Sequence, residues 1–155
     1  MSNSSMEAKV ASLNNLQLII NRLSDTSSKV KGLYVTLISA LLTVVLTYLV
    51  PKSGGGIELS VYFFSSIIFL LVYGCFFYID VEYLKDERIM RAVYDSKAKD
   101  LHYDVKNPNF FDITSMFIEK KKSGGVNSKP SKRQVIFFTL PFFLIELCLL
   151  VIWVK

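Results

Sequence analysis

The stretch GLYVTLISALLTVVLTYLV, Gly32–Val50, runs for nineteen residues without a charged side chain. At 1.5 Å per residue a helix of that length spans roughly 28 Å, close to the hydrocarbon core of a bilayer. Pro51 ends it, and the flexible link KSGGG follows. Two more stretches of the same kind lie downstream. LSVYFFSSIIFLLVYGCFFYI, Leu59–Ile79, places Tyr62 and Tyr78 near its ends, where amphipathic rings favour the membrane interface. QVIFFTLPFFLIELCLLVIWVK, from Gln134 on, closes on Trp153 and Lys155 as outer anchors.

These runs explain a composition that an ordinary soluble domain would not have. Of 155 residues, 52% are hydrophobic and 20% charged, with a mean hydropathy of +0.40. The apolar excess is concentrated in three blocks, with polar material between them. The expectation is an all-α integral membrane protein with three transmembrane helices and a small helical cytoplasmic module. The segments are a cytoplasmic amphipathic helix over 1–31, spans over 32–50, 59–79 and 135–154, an external loop over 51–58, and a cytoplasmic helix and basic tether over 80–134. Some thirty polar-rich residues precede the first span, so no secretory signal peptide is expected.

The placement of charge sets the orientation. The net charge is +5, and twelve of the eighteen Lys and Arg residues fall between Val81 and Gln134. Lys9, Arg22, Lys29 and Lys31 precede the first span, whereas the link 51–59 holds Lys52 alone. By the positive-inside rule the amino terminus and the long loop are cytoplasmic, and the carboxyl terminus is external.

The polar segments have helical period. Met6, Val10, Leu13, Ile20 and Leu23 share one face of the amino-terminal segment, with Leu16 beside it. In VEYLKDERIMRAVYDSKAKDL, Tyr83, Met90, Tyr94 and Leu101 share another, with Leu84 nearby. Acidic residues open this segment and lysines close it, as the helix dipole prefers, and the second span runs straight on into it. NPNFF breaks that helix, DITSMFIE is a short ordered piece, and KKKSGGVNSKPSKR reads as a flexible tether.

No catalytic set is present. The single histidine, His102, has no second ligand or nucleophile at a useful spacing, and the glycine clusters lack the pattern of a phosphate-cradling loop. No enzymatic activity, metal or cofactor is expected. Cys75 and Cys148 sit inside apolar blocks and read as packing residues. Nothing in the spacing of the basic residues marks specific nucleic-acid binding.

Three constellations remain. Thr36, Ser39, Thr43 and Thr47, with Ala40 beside them, recur at three- and four-residue steps and make a small, weakly polar stripe on the first span. Such a stripe packs helices closely or lines a narrow wet pore. Lys120, Lys121, Lys122, Lys129, Lys132 and Arg133 make a basic tether suited to acidic lipid heads or to topology alone. Glu146 stands alone in the apolar third span, roughly 16 Å from its start, at the depth of Thr43. A mid-membrane carboxyl faces protein or water, not lipid. Glu146 is therefore expected to meet the Thr43–Thr47 face, within one chain or across an oligomer, as neutral glue between helices or as a conducting charge. Pro141, five residues earlier, frees a backbone carbonyl.

Several stretches together resemble a known group. INRLSDTSSKVKGLYVTLISALL carries Ile20, Asn21, Arg22, Ser28, Lys31, Gly32, Val35, Thr36 and Leu37. IDVEYLKDERIMRAVYD carries Asp80, Tyr83, Leu84, Glu87, Arg88 and Tyr94, and a weaker patch holds Phe111, Asp112, Thr114 and Ser115. The pattern is similar to that of small bacterial membrane proteins of the SLATT type. The resemblance implies an oligomeric inner-membrane effector of antiphage defence that permeabilises the membrane when a cytoplasmic partner signals. Two features depart from the group: the third span, and the lack of a sensor domain. The competing class is a non-conducting membrane anchor or accessory subunit for a cytoplasmic protein. Among the matched residues, Arg22 and Lys31 approach the first span from the side on which Asp80, Glu87 and Arg88 leave the second. These opposite charges are expected to pair, with Gly32 as a hinge.

Overall fold

The computed structural model describes residues 3–49, 58–102, 111–124 and 129–154. Every element among them is helical: α1 (Asn3–Val44) with a π-helical turn at Val45–Leu49, α2 (Leu59–His102), α3 (Ile113–Ser123) and α4 (Lys132–Val154). Helices α1, α2 and α4 are each long and apolar enough to cross a membrane. The predicted link 51–58 lies outside the described residues except for Glu58, as do 103–110 and 125–128.

Some boundaries differ from those expected. The helix begins at Asn3, within the predicted loose tail, and runs unbroken through Gly32. A Cβ at Gly32 would meet nothing within 4 Å, so this position does not demand glycine. The basic tether is also shorter than expected. Lys120, Lys121 and Lys122 form the last turn of α3, where cations meet the negative end of the dipole. Asp112 caps the start of α3 by accepting from the Ser115 N–H at 2.9 Å, and Gly124 ends it at φ 63°.

The chain divides into two compact units. The first comprises Met1–Ser28 and Glu82–Lys129. Its buried apolar side chains are Leu13, Leu16, Ile20, Ile89 and Val93. Met6 and Val10 are exposed, so the inner face of α1 is rotated toward Lys9, Leu13, Leu16 and Ile20. On α2 the most buried positions are Glu87, Ile89, Val93 and Lys97 rather than the tyrosine face. Interleaved charges hid this face, since two of its four residues are ionisable.

The second unit comprises Lys29–Val81 and Pro130–Lys155. Tyr34, Ile38 and Val45 of α1 and its π turn, Phe69 of α2, and Phe138, Ile145 and Leu149 of α4 form its core. Leu71, Phe64, Phe143 and Val154 are each more than 60% exposed, which suits a surface bathed in lipid. Cys75 and Cys148 are on that exposed side instead of packed inside. At the end away from Asp80, Trp153 stacks on Tyr62 with centroids 5.7 Å apart.

Candidate functional site: polar pins in the three-helix unit

Lipid is as apolar as leucine, so aliphatic contact alone does not fix how membrane helices sit. Here a ladder of polar contacts does. Asp80 is fully buried on α2. Its Oδ1 accepts from Lys31 Nζ of α1 at 2.8 Å, and its Oδ2 accepts from Gln134 Nε2 of α4 at 2.7 Å. One carboxylate therefore joins all three helices. Gln134 is held for this by a capping box. The Gln134 N–H donates to Ser131 Oγ at 3.2 Å, and the Ser131 N–H donates back to Gln134 Oε1 at 3.4 Å.

The next contacts lie deeper. The Tyr34 hydroxyl donates to the Phe138 carbonyl at 2.9 Å, and the Tyr34 and Phe138 rings lie 4.7 Å apart. Pro141 has no N–H for the carbonyl of Phe137 beside it, yet α4 continues through. Tyr73 Oη and Thr139 Oγ1 share a hydrogen bond at 3.3 Å. Deeper still, the Ser66 hydroxyl donates to Glu146 Oε2 at 2.8 Å. Asp80, Tyr73 and Ser66 are spaced by sevens along α2, the repeat of a knobs-into-holes seam. Their partners Gln134, Thr139 and Glu146 ascend α4, so α2 and α4 are antiparallel and in register.

Glu146 therefore does not meet the Thr43–Thr47 face within the chain, and the expected partner is corrected to Ser66. Height along the helices is not the reason: Tyr34 is level with Phe138, which puts Thr43 near Leu147. Rotation about the helix axis is. Tyr34, Ile38 and Val45 occupy the inner face of α1, which turns Thr36, Ser39, Ala40, Thr43 and Thr47 outward, where all are exposed. Thr36 and Thr43 donate to the Gly32 and Ser39 carbonyls on their own helix, at 3.0 and 2.9 Å. Glu146 Oε1 is buried without a hydrogen-bond partner among the described residues.

This geometry makes Glu146 a contact inside one copy. Glu146→Gln retains an acceptor for Ser66 and is expected to leave both stability and association unchanged. Glu146→Leu should lower stability by about 1 kcal/mol, the scale of membrane hydrogen bonds, without altering oligomeric state. Thermal melts and light scattering in detergent measure the two separately.

The other predicted charges are placed differently. Glu87 is buried and pairs with Arg91 on its own helix, its Oε1 accepting from Nε at 2.9 Å and Nη2 at 2.7 Å. Arg88 donates to the Lys129 carbonyl at 2.8 Å. Arg22 is exposed, and no ion pair joins it to Glu87 among the described residues. The physical reason is local: Arg91 reaches Glu87 from one turn away, at far lower entropic cost. Of the expected cross-helix pairs, Lys31 and Asp80 are the two brought together.

In the first unit Lys121 donates to Asp86 at 2.8 Å and lies 5.4 Å from the Phe117 ring centroid. The Asp86 hydrogen bond raises the Lys121 ammonium above its usual range. Lys97 is fully buried, and burial lowers it, with Asp112 and Asp100 opposing. The Ser115 N–H and hydroxyl lower the Asp112 carboxyl. A lowered carboxylate stabilises the fold above its ordinary titration range and loses that contribution as pH falls through the lowered value. Acidification below about pH 4 should therefore fray the start of α3, seen as faster exchange of the Ser115 amide. Asp112→Ala should exchange fast at every pH.

Lys129, Lys132 and Arg133 remain solvent- or headgroup-accessible at the entry to α4. Sequence reading missed Gln134, Tyr34, Tyr73 and Ser66. The Ser131-x-x-Gln134 capping box and the Ser65–Ser66 pair within an apolar run were the available signals. No family model, curated protein or solved structure matches the chain.

Proposed function

We propose that the chain is a membrane effector that acts by self-assembly, with the Thr36–Thr47 stripe as the face between copies. The observation that supports this is the division of polar groups in the three-helix unit. Asp80, Gln134, Tyr34 and Glu146 are spent inside one copy, while the stripe is left outside. Three helices whose inner faces pack on one another are too few to ring a pore, so permeabilisation requires several copies. Small hydroxyl residues suit either close helix approach or a wet lining. The basic placement supports a cytoplasmic amino terminus and first unit and an external carboxyl terminus. The resemblance to SLATT-type proteins supports an inner-membrane role in antiphage defence, triggered by a cytoplasmic partner acting on the first unit.

Induced expression in bacterial cells carrying a potential-sensitive dye tests the proposal. Depolarisation is expected from the wild type. It is expected to be lost in Ser39→Leu/Thr43→Leu at equal membrane abundance. The packed core of the three-helix unit also favours a second reading, a non-conducting anchor for a cytoplasmic protein. Full expression without depolarisation would select it. A reporter fused after Lys155 that proved cytoplasmic would overturn the orientation.

A further inference from the structure

A groove of about 420 Å³ opens on the outside of the three-helix unit, lined by Val35 of α1 and by Arg133, Ile136, Phe137, Leu140 and Pro141 of α4. Apart from Arg133 its walls are apolar. Val35 is short, and Ile136 and Leu140 are exposed beside it. Arg133 stands in the first turn of α4, at the positive end of that helix's dipole. Among the described residues no carboxylate forms an ion pair with it. Lys31, on the neighbouring helix, is already committed to Asp80.

We infer that this groove is a binding site for one anionic phospholipid, with an acyl chain along Val35, Ile136 and Leu140 and the phosphate on Arg133. Two features select this occupant. The groove lies in the membrane-spanning part of the helices, where lipid chains are the surrounding medium. Its one charged lining residue is Arg133, whose stem suits apolar surface and whose guanidinium fork matches phosphate oxygens at the headgroup level. A zwitterionic lipid fills the same groove but brings its own cation near Arg133. Specificity is therefore for net negative headgroups. The site is distinct from the diffuse attraction of the other lysines, because a single residue carries its selectivity.

The test uses the full chain with Trp153→Phe and Phe137→Trp, so that the one tryptophan reports on the groove. The protein is reconstituted in phosphatidylcholine bilayers. Dibrominated phosphatidylglycerol or dibrominated phosphatidylcholine is then added at equal mole fraction. Quenching is expected to give a relative affinity about fivefold higher for the anionic lipid, the scale of one basic residue at the membrane surface. Arg133→Gln should bring that ratio to about one, and Lys132→Gln should leave it unchanged. Circular dichroism and elution volume check that each variant is folded. Equal quenching by both lipids would overturn the inference, as would a preference that survives Arg133→Gln or falls equally with Lys132→Gln. So would quenching by neither lipid, which would mean that another protein surface covers the groove.

Discussion

Asp80→Ala is expected to lower stability by about 3–5 kcal/mol, the usual cost of breaking a buried pair by removing one partner. The magnitude follows from what is left behind. Asp80 is fully buried and is the acceptor for both Lys31 and Gln134. Without it a partly buried ammonium and a buried amide lose their partner together, and α1 and α4 lose their shared tie to α2. Asp80→Asn should be intermediate, because an amide offers an acceptor to one donor but turns its own N–H groups toward the other. Lys31→Met combined with Asp80→Leu should cost less than the two single changes added, by at least about 1 kcal/mol, since the pair acts as a unit. Thermal or denaturant unfolding in detergent measures each of these variants. Additive losses would mean that the 2.8 Å contact contributes nothing.

The second large effect is expected at Tyr34. This residue is fully buried, donates to the Phe138 carbonyl, and packs against both Phe76 and Phe138. Tyr34→Ala opens a cavity among rings that cannot close it, at a cost of about 3–5 kcal/mol. Tyr34→Phe removes the hydroxyl alone and should cost about 0.5–1.5 kcal/mol. The difference separates ring packing from the hydrogen bond that serves the segment of α4 next to Pro141. Equal effects of the two substitutions would place the whole contribution in the hydroxyl.

The architecture was legible in the sequence wherever apolar length and charge placement decide. Three apolar runs of spanning length, the third holding the single carboxyl of Glu146, read directly as helices, and Lys31 with Asp80 followed from opposite charges at corresponding helix ends. Relative height along neighbouring helices was also readable, because helical rise is constant. What was not readable was rotation about the helix axis. In a soluble helix, polarity tells the inner face from the outer. In a membrane both faces are apolar, and α4 shows almost no asymmetry apart from Glu146. The threonine stripe was therefore matched to Glu146 by depth, while ring packing by Tyr34 and Phe138 turned it outward and brought Ser66 to the carboxyl. Gln134 was overlooked for a related reason. It sits at the boundary of a span, where a lone amide looks like an interfacial residue until its capping partner Ser131 is noticed.

The same outward rotation gives the stripe its proposed role, and disulfide trapping in native membranes tests it. Cys75 and Cys148 are exposed and are first replaced by serine. Thr43→Cys is then oxidised beside Leu71→Cys, an exposed apolar position on α2. Assembly through the stripe predicts efficient dimer formation from Thr43→Cys and little from Leu71→Cys. Thr43→Cys that stays monomeric, or that links no better than Leu71→Cys, would contradict it.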